Sequence, residues 1–288
     1  MKSAHATTAP AQVAIARRGA LVGDYWALTK PRLNFLVVLT SAAGYYLGTI
    51  GRPDWWAMAQ AVAGTALVAG GAAVLNQVYE RDTDRLMRRT RMRPLPDGRV
   101  RPEEARVFGL VLAAAGLALL GFAANRAAAL LALATLVVYL IVYTPMKRRS
   151  AGATLVGAVP GALPPLIGWA AARGGVSAGG WTLFAIVFVW QIPHFMALAW
   201  MYREDYGSAG FPMLPVIEPD GRRTGRHALL YAAALLPISL APAWFGVAGA
   251  PYLAIATVLG AGFLWLAARF AASRTDAAAR RLFFASIA

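Results

Sequence analysis

The chain has 288 residues, 59% of them hydrophobic and only 14% charged, with a mean hydropathy of +0.54. A soluble domain of this length needs more charge to cover its surface, which sets aside a soluble all-helical protein. There is no cysteine, so a disulfide framework, a thiolate metal site and a cysteine nucleophile are excluded. The net charge of +15 would suggest nucleic acid in a soluble protein; here the placement of the charges matters more than their sum, and no nucleic acid is expected.

Residues 1–28 are polar, rich in alanine and almost free of acid, with Arg17 and Arg18. They lack a long apolar run, so they do not read as a secretory signal. A short cytoplasmic tail is expected in preference to an organellar transit segment. From residue 29 to 288 one transmembrane domain is expected. Apolar spans fall at 33–50, 55–79, 104–124, 127–145, 152–171, 180–201, 227–248 and 250–271. Each approaches the roughly 20 residues that cross a bilayer core. A last stretch, 279–288, is too short to cross. The expected fold is therefore all-α, a polytopic transmembrane helical bundle with eight full spans.

The basic residues orient this bundle. All but Arg52, Arg126 and Arg173 of the 28 Lys and Arg fall on one side of the eight spans. The positive-inside rule places both termini and the second–third, fourth–fifth and sixth–seventh loops in the cytoplasm. The two long polar connections, 80–103 and 202–226, lie on that same side, where function is expected.

The first of these begins at a polar helix end. Asn76, Glu80 and Asp84 are spaced i, i+4, i+8 and fall within about 80° of one helix face. An amide and two carboxylates converging at a bundle mouth form a hard, oxygen-rich site that suits Mg²⁺ bridging to phosphates. Asp82 points elsewhere and reads as a solvated or ion-paired carboxylate. Arg85, Arg88, Arg89, Arg91 and Arg93 follow; the planar fork of arginine suits phosphate oxygens, although positive-inside charge alone would also place them here.

A second polar stripe ends the sixth span. Gln191 and His194 lie within it, and Tyr202, Arg203, Glu204 and Asp205 follow. Glu204 and Asp205 can serve a second metal ion. His194 reads either as a functional intramembrane residue or as a hydrogen-bonded structural one. Lys147-Arg148-Arg149 and Lys30-Pro31-Arg32 are topology signals, phosphate contacts or both. The fifth span carries Pro160, Pro164 and Pro165, which free backbone groups and suggest a broken helix beside a cavity.

These motifs together resemble the UbiA-type membrane-embedded prenyltransferases, and within them the heme branch. The superfamily pattern Asn-Asp-x-x-Asp-x-x-x-Asp occurs here as Asn76-Gln77-x-x-Glu80-x-x-x-Asp84. The Gln and Glu in the first two Asp positions are similar to the heme branch and unlike the quinone branches. Further matches are Thr29-Lys30-Pro31-Arg32, Arg89-Thr90-x-x-Arg93-Pro94-Leu95, Pro164-Pro165-x-Ile167-Gly168-Trp169, Trp190-Gln191-x-Pro193-His194-Phe195 and Tyr202-Arg203-x-Asp205-Tyr206, and the resemblance covers about residues 29–215. Two departures stand out. Many members carry an Asn after the middle-loop Lys-Arg, where this chain has Ser150-Ala151-Gly152-Ala153. The family fold has nine helices, so Ala288 would fall early in a ninth and the C-terminus would be short.

The resemblance implies farnesyl diphosphate and heme b as substrates, with heme O as product for heme A and cytochrome oxidase biogenesis. It implies Mg²⁺ held by Asn76, Glu80 and Asp84, with Asp205 as a second-site ligand. Arg32, Arg89, Arg93 and Lys147 would meet the diphosphate, and His194, Tyr202 and Arg203 are further candidate substrate contacts. Membrane lipid would admit the isoprenoid, and heme A synthase would take the product. A bacterial inner membrane is expected over a mitochondrial one, because the tail is short and the loops compact. A sister enzyme acting on a quinone precursor is the nearest rival. A transporter is the rival from another class, but it needs polar chemistry on both sides.

Overall fold

The computed structural model describes residues 21–287; the expected N-terminal tail lies, up to residue 20, outside them. After a helical segment at 21–28, the chain forms α1 (Pro31–Gly48), α2 (Trp55–Asp84), α3 (Pro102–Ala124), α4 (Arg126–Met146), α5 (Ala153–Arg173) and α6 (Ala178–Met201). Two short helices, α7 (Arg203–Ser208) and α8 (Leu214–Ile217), lead to α9 (Arg222–Trp244), α10 (Ala250–Ser273) and α11 (Asp276–Ala285).

Seven helices, α2 to α6 with α9 and α10, are long and apolar enough to cross a membrane. The chain is thus a multi-pass helical membrane protein. The expected first span, 33–50, is present as α1 but is not one of the seven. Its 18 residues include Arg32 and Asn34 in the first turn, which dilute its apolar character. α11 has ten residues and does not cross; it packs instead against α6 and α10.

The helices follow one another around the bundle. α3 packs on α2, α1 and α4 pack on α5, α5 on α6, α6 on α9, and α9 on α10. α5 is the most buried of the seven and sits at the centre. It carries all three prolines yet remains one helix from Ala153 to Arg173, so the break expected there does not occur. Neighbouring helices support it closely. A Cβ on Gly168 would collide with the Ser41 carbonyl of α1, and one on Gly44 would collide with the Pro165 carbonyl of α5. Only glycine lets these backbones touch, the usual device for joining helices where lipid supplies no hydrophobic drive.

α3 and α4 each contain a π-helical turn, at Leu120–Ala124 and Val138–Tyr143. Such turns occur often at functional sites. The second stacks Tyr139 on Tyr143, ring centroids 5.4 Å apart, on the wall of the central cavity.

Candidate active site

α2 is 30 residues long and begins with a firm cap: the Asp54 carboxylate accepts from the backbone N–H groups of Trp56 and Ala57. It runs past the expected end at 79 to Asp84, so Asn76, Glu80 and Asp84 all stand on one continuous helix at the loop-bearing end of the bundle. All three are buried, at 2%, 3% and 1% exposure. Buried carboxylates need partners. Lys147 donates to both Glu80 oxygens at 3.1 and 3.2 Å, and Arg93 donates to Asp84 Oδ2 at 2.8 Å. Asn76 accepts from Lys30 Nζ at 3.4 Å and donates to Thr144 Oγ1 at 3.2 Å. Gln77, by contrast, donates to the carbonyls of Leu28 and Ala73 and is a structural tie.

The loop after α2 folds back onto this cluster. Thr90 Oγ1 donates to the Asp84 carbonyl at 2.8 Å, Arg85 Nε donates to the Pro96 carbonyl, and Leu95 is buried. Its contact with the second long loop is a small apolar cluster of Met87, Tyr206, Ala209, Phe211 and Met213. Arg89 joins them from outside: it donates to Tyr206 Oη at 3.3 Å and lies 4.7 Å from the Tyr202 ring centre. Lys147 Nζ lies 4.7 Å from the Phe211 ring centre. Asp205 is half-buried next to Tyr206, and its carboxylate has no hydrogen bond or ion pair among the described residues.

Behind the cluster, a cavity of about 340 Å³ runs into the bundle. Lys30, Lys147 and Tyr206 mark its polar mouth; Leu33, Val37, Phe195 and Leu198 are among its apolar walls; Tyr139, Tyr143 and Gln191 supply polar atoms inside. An anionic head at the mouth and an apolar tail within match this shape.

Several expected residues therefore meet: Asn76, Glu80, Asp84, Arg93 and Lys147 form one cluster, with Arg89 and Tyr202 on its rim. Others are engaged elsewhere. His194 Nδ1 is 2.7 Å from Ser286 Oγ, and its ring stacks on Trp190 and Phe283. It does not line the cavity. Arg203 donates to the Trp200 carbonyl and to Asp276 at 2.8 Å. Both residues hold α11. Arg32 is exposed and makes no hydrogen bond or ion pair among the described residues, while its neighbour Lys30 reaches Asn76. Lys30 caps α1 in a left-handed conformation, φ 50° and ψ 59°, which turns its side chain inward. That conformation costs a non-glycine residue roughly 1–2 kcal/mol. Burial, then the Arg93 charge, lowers the Lys30 ammonium to about 8, against the pull of Glu80. Tyr139 and Tyr143 are the cavity residues that no sequence motif singles out, while Lys30 and Tyr206 belong to the motifs that pointed to their neighbours Arg32 and Asp205.

Among the described residues, no three carboxylate or imidazole groups converge closely enough to hold a metal alone. The donor set still fits Mg²⁺ with a phosphate ligand. This ion keeps several waters and takes one or two carboxylates plus substrate oxygens. Asp84 Oδ1 has no protein donor, and the Lys147 contact to Glu80 can be shared with an incoming anion.

The description "UbiA prenyltransferase family" matches residues 37–288. The chain is 45% identical over 273 residues to the protoheme IX farnesyltransferase of Solibacter usitatus, covering 92% of this chain and 94% of that protein. It is 48% identical over 267 residues to that of Opitutus terrae, covering 92% and 90%. Among solved structures, a digeranylgeranylglyceryl phosphate synthase superposes with a TM-score of 0.77 at 18% identity, covering 92% of this chain and 93% of that one. A UbiA homologue from Archaeoglobus fulgidus bound to GPP and Mg²⁺ gives 0.67 at 18% identity, covering 92% and 95%. The chain belongs to the UbiA prenyltransferase family.

Proposed function

We propose that the chain is a protoheme IX farnesyltransferase, joining the farnesyl group of farnesyl diphosphate to a vinyl group of heme b, with addition of water, to give heme O and diphosphate. The observation that carries this reading is the buried Glu80–Asp84 pair, ringed by Lys30, Arg93 and Lys147, at the mouth of an apolar cavity. The relatives' shared name selects the acceptor.

Asn76, Glu80 and Asp84 would hold Mg²⁺, with Asp205 facing a second ion. The metal, when bound, would neutralise charge on the leaving diphosphate. Arg93, Lys147 and Lys30 are preorganised to do the same, and Arg89 stands at the rim; such fixed charges aimed at a developing anion are a large source of rate. As the C1–O bond breaks, the electron pair leaves with the diphosphate. The apolar residues along the cavity shield the allylic cation until the heme vinyl carbon attacks it. Tyr202, beside Arg89, would border the approach, and Arg32, exposed at the entry of α1, would meet an anionic group of a substrate, the diphosphate or a heme propionate. His194 and Arg203 act on substrate indirectly, by seating α11 beside α6. The charge distribution supports an orientation with the site facing the cytoplasm of a bacterial inner membrane. The isoprenoid would enter from lipid, and a heme A synthase in that membrane would take the product.

The discriminating experiment offers purified protein farnesyl diphosphate and Mg²⁺ with heme b or with 4-hydroxybenzoate. Heme O alone is expected. A prenylated benzoate with no heme O would move the chain to the quinone branch.

A further inference from the structure

The reaction just proposed ends with water adding to a carbocation inside an apolar cavity. That water must be held, or the cation will lose a proton to give an alkene. One side chain inside the cavity is set up for this. Gln191 is buried and lies on the cavity wall. Its Nε2 donates to the carbonyls of Ala158, at 3.2 Å, and Val187, at 3.0 Å. Only the amide nitrogen can satisfy two carbonyls, so the orientation of the amide is fixed by its partners. Oε1 is thereby left as an acceptor without a protein donor.

The opposing helix makes room for that oxygen. A Cβ on Gly161 of α5 would collide directly with Gln191 Oε1. Gly161, Pro160 and Pro164 line the same wall. Because Pro164 and Pro165 have no N–H, the carbonyls of Pro160 and Gly161 lack their usual helical donors. An acceptor-rich patch thus sits within otherwise apolar surroundings. Acceptors favour a water that is becoming positively charged, and they offer nothing to an anion.

We propose that Gln191 Oε1 holds the water that captures the heme-side carbocation. This rests on the farnesyltransferase reading. The new C–C bond joins farnesyl C1 to the terminal vinyl carbon and leaves the positive charge on the carbon next to the heme ring. The water oxygen bonds to that carbon, and the resulting oxonium loses its proton to other water in the cavity. Gln191 accepts a hydrogen bond from the attacking water throughout and is not itself the base.

The test is product identity. Wild type, Gln191→Leu and Gly161→Ala are each incubated in detergent with heme b, farnesyl diphosphate and Mg²⁺ in ¹⁸O-labelled water, and products are resolved by mass. Gln191→Leu removes the acceptor and Gly161→Ala displaces it. Both are expected to lower the ratio of labelled heme O to a farnesylated heme lighter by one water by about tenfold, the factor that one hydrogen bond of about 1.4 kcal/mol supplies. If Gln191→Leu does not fold, Gly161→Ala, which leaves Gln191 in place, decides. Heme O from wild type with an unchanged ratio in the variants would overturn the role of Gln191 while leaving the farnesyltransferase reading intact. No heme O from wild type would instead overturn that reading.

Discussion

Lys147 Nζ stands 3.1 and 3.2 Å from the two carboxylate oxygens of Glu80, and this pair ties the α4–α5 loop to the end of α2. The side chains are 15% and 4% exposed. Removing one partner from such a pair leaves a buried charge and costs about 3–5 kcal/mol. Glu80→Gln and Lys147→Met should therefore each lower the unfolding temperature in detergent. The double variant should recover most of that stability but none of the activity. Recovery of activity in the double variant would show that the pair is a structural element only.

Arg93 makes the matching contact to Asp84 from the other side, at 2.8 Å. Arginine presents a planar fork that lysine cannot copy. Arg93→Lys should raise KM for farnesyl diphosphate by about tenfold while leaving KM for heme b near its original value. Equal effects on both substrates would place Arg93 in general packing instead of diphosphate binding.

α11 is held by polar contacts from one helix turn of α6. His194 meets Ser286 Oγ, and Trp190 Nε1 donates to the Ser286 carbonyl at 3.0 Å. His194→Ala should cost about 1 kcal/mol of stability or somewhat more. A heme titration of the folded variant should match wild type. A lost heme spectrum in a folded variant would return His194 to the list of heme contacts.

The close contact of α1 with α5 depends on glycine at 168. Gly168→Ala forces the two backbones apart and should cost roughly 1–3 kcal/mol. Thermal unfolding in detergent measures this, with Gly175→Ala as a control, since a Cβ on the half-buried Gly175 meets nothing within reach.

The parts of the site that could be read from the sequence are those governed by helix periodicity. Asn76, Glu80 and Asp84 share a face because α2 continues to Asp84, and charge asymmetry points to the end of the bundle that bears the two long loops. What escaped depends on tertiary structure. No periodicity says that Lys30 turns inward while Arg32 stays out, because that follows from one left-handed residue before α1. The cavity tyrosines 139 and 143 lie in an apolar stretch, and their presentation depends on a π-helical turn. His194 and Arg203 carry a strong motif, but their partners, Ser286 and Asp276, are more than 70 residues away in the chain and invisible to local reasoning. The prolines of α5 suggested a break because a sequence cannot show the supporting contact from α1.

Farnesyl transfer to heme at the end of α2 is proposed to be metal-linked. The most direct measurement incubates detergent-purified protein with heme b, farnesyl diphosphate and Mg²⁺, and quantifies heme O by mass-resolved chromatography beside an EDTA-treated sample and Asp84→Ala. Heme O from the untreated wild type, with a fall of more than about a hundredfold in both comparisons, is the expected result. Undiminished heme O from a folded Asp84→Ala, or from the EDTA-treated sample, would contradict it.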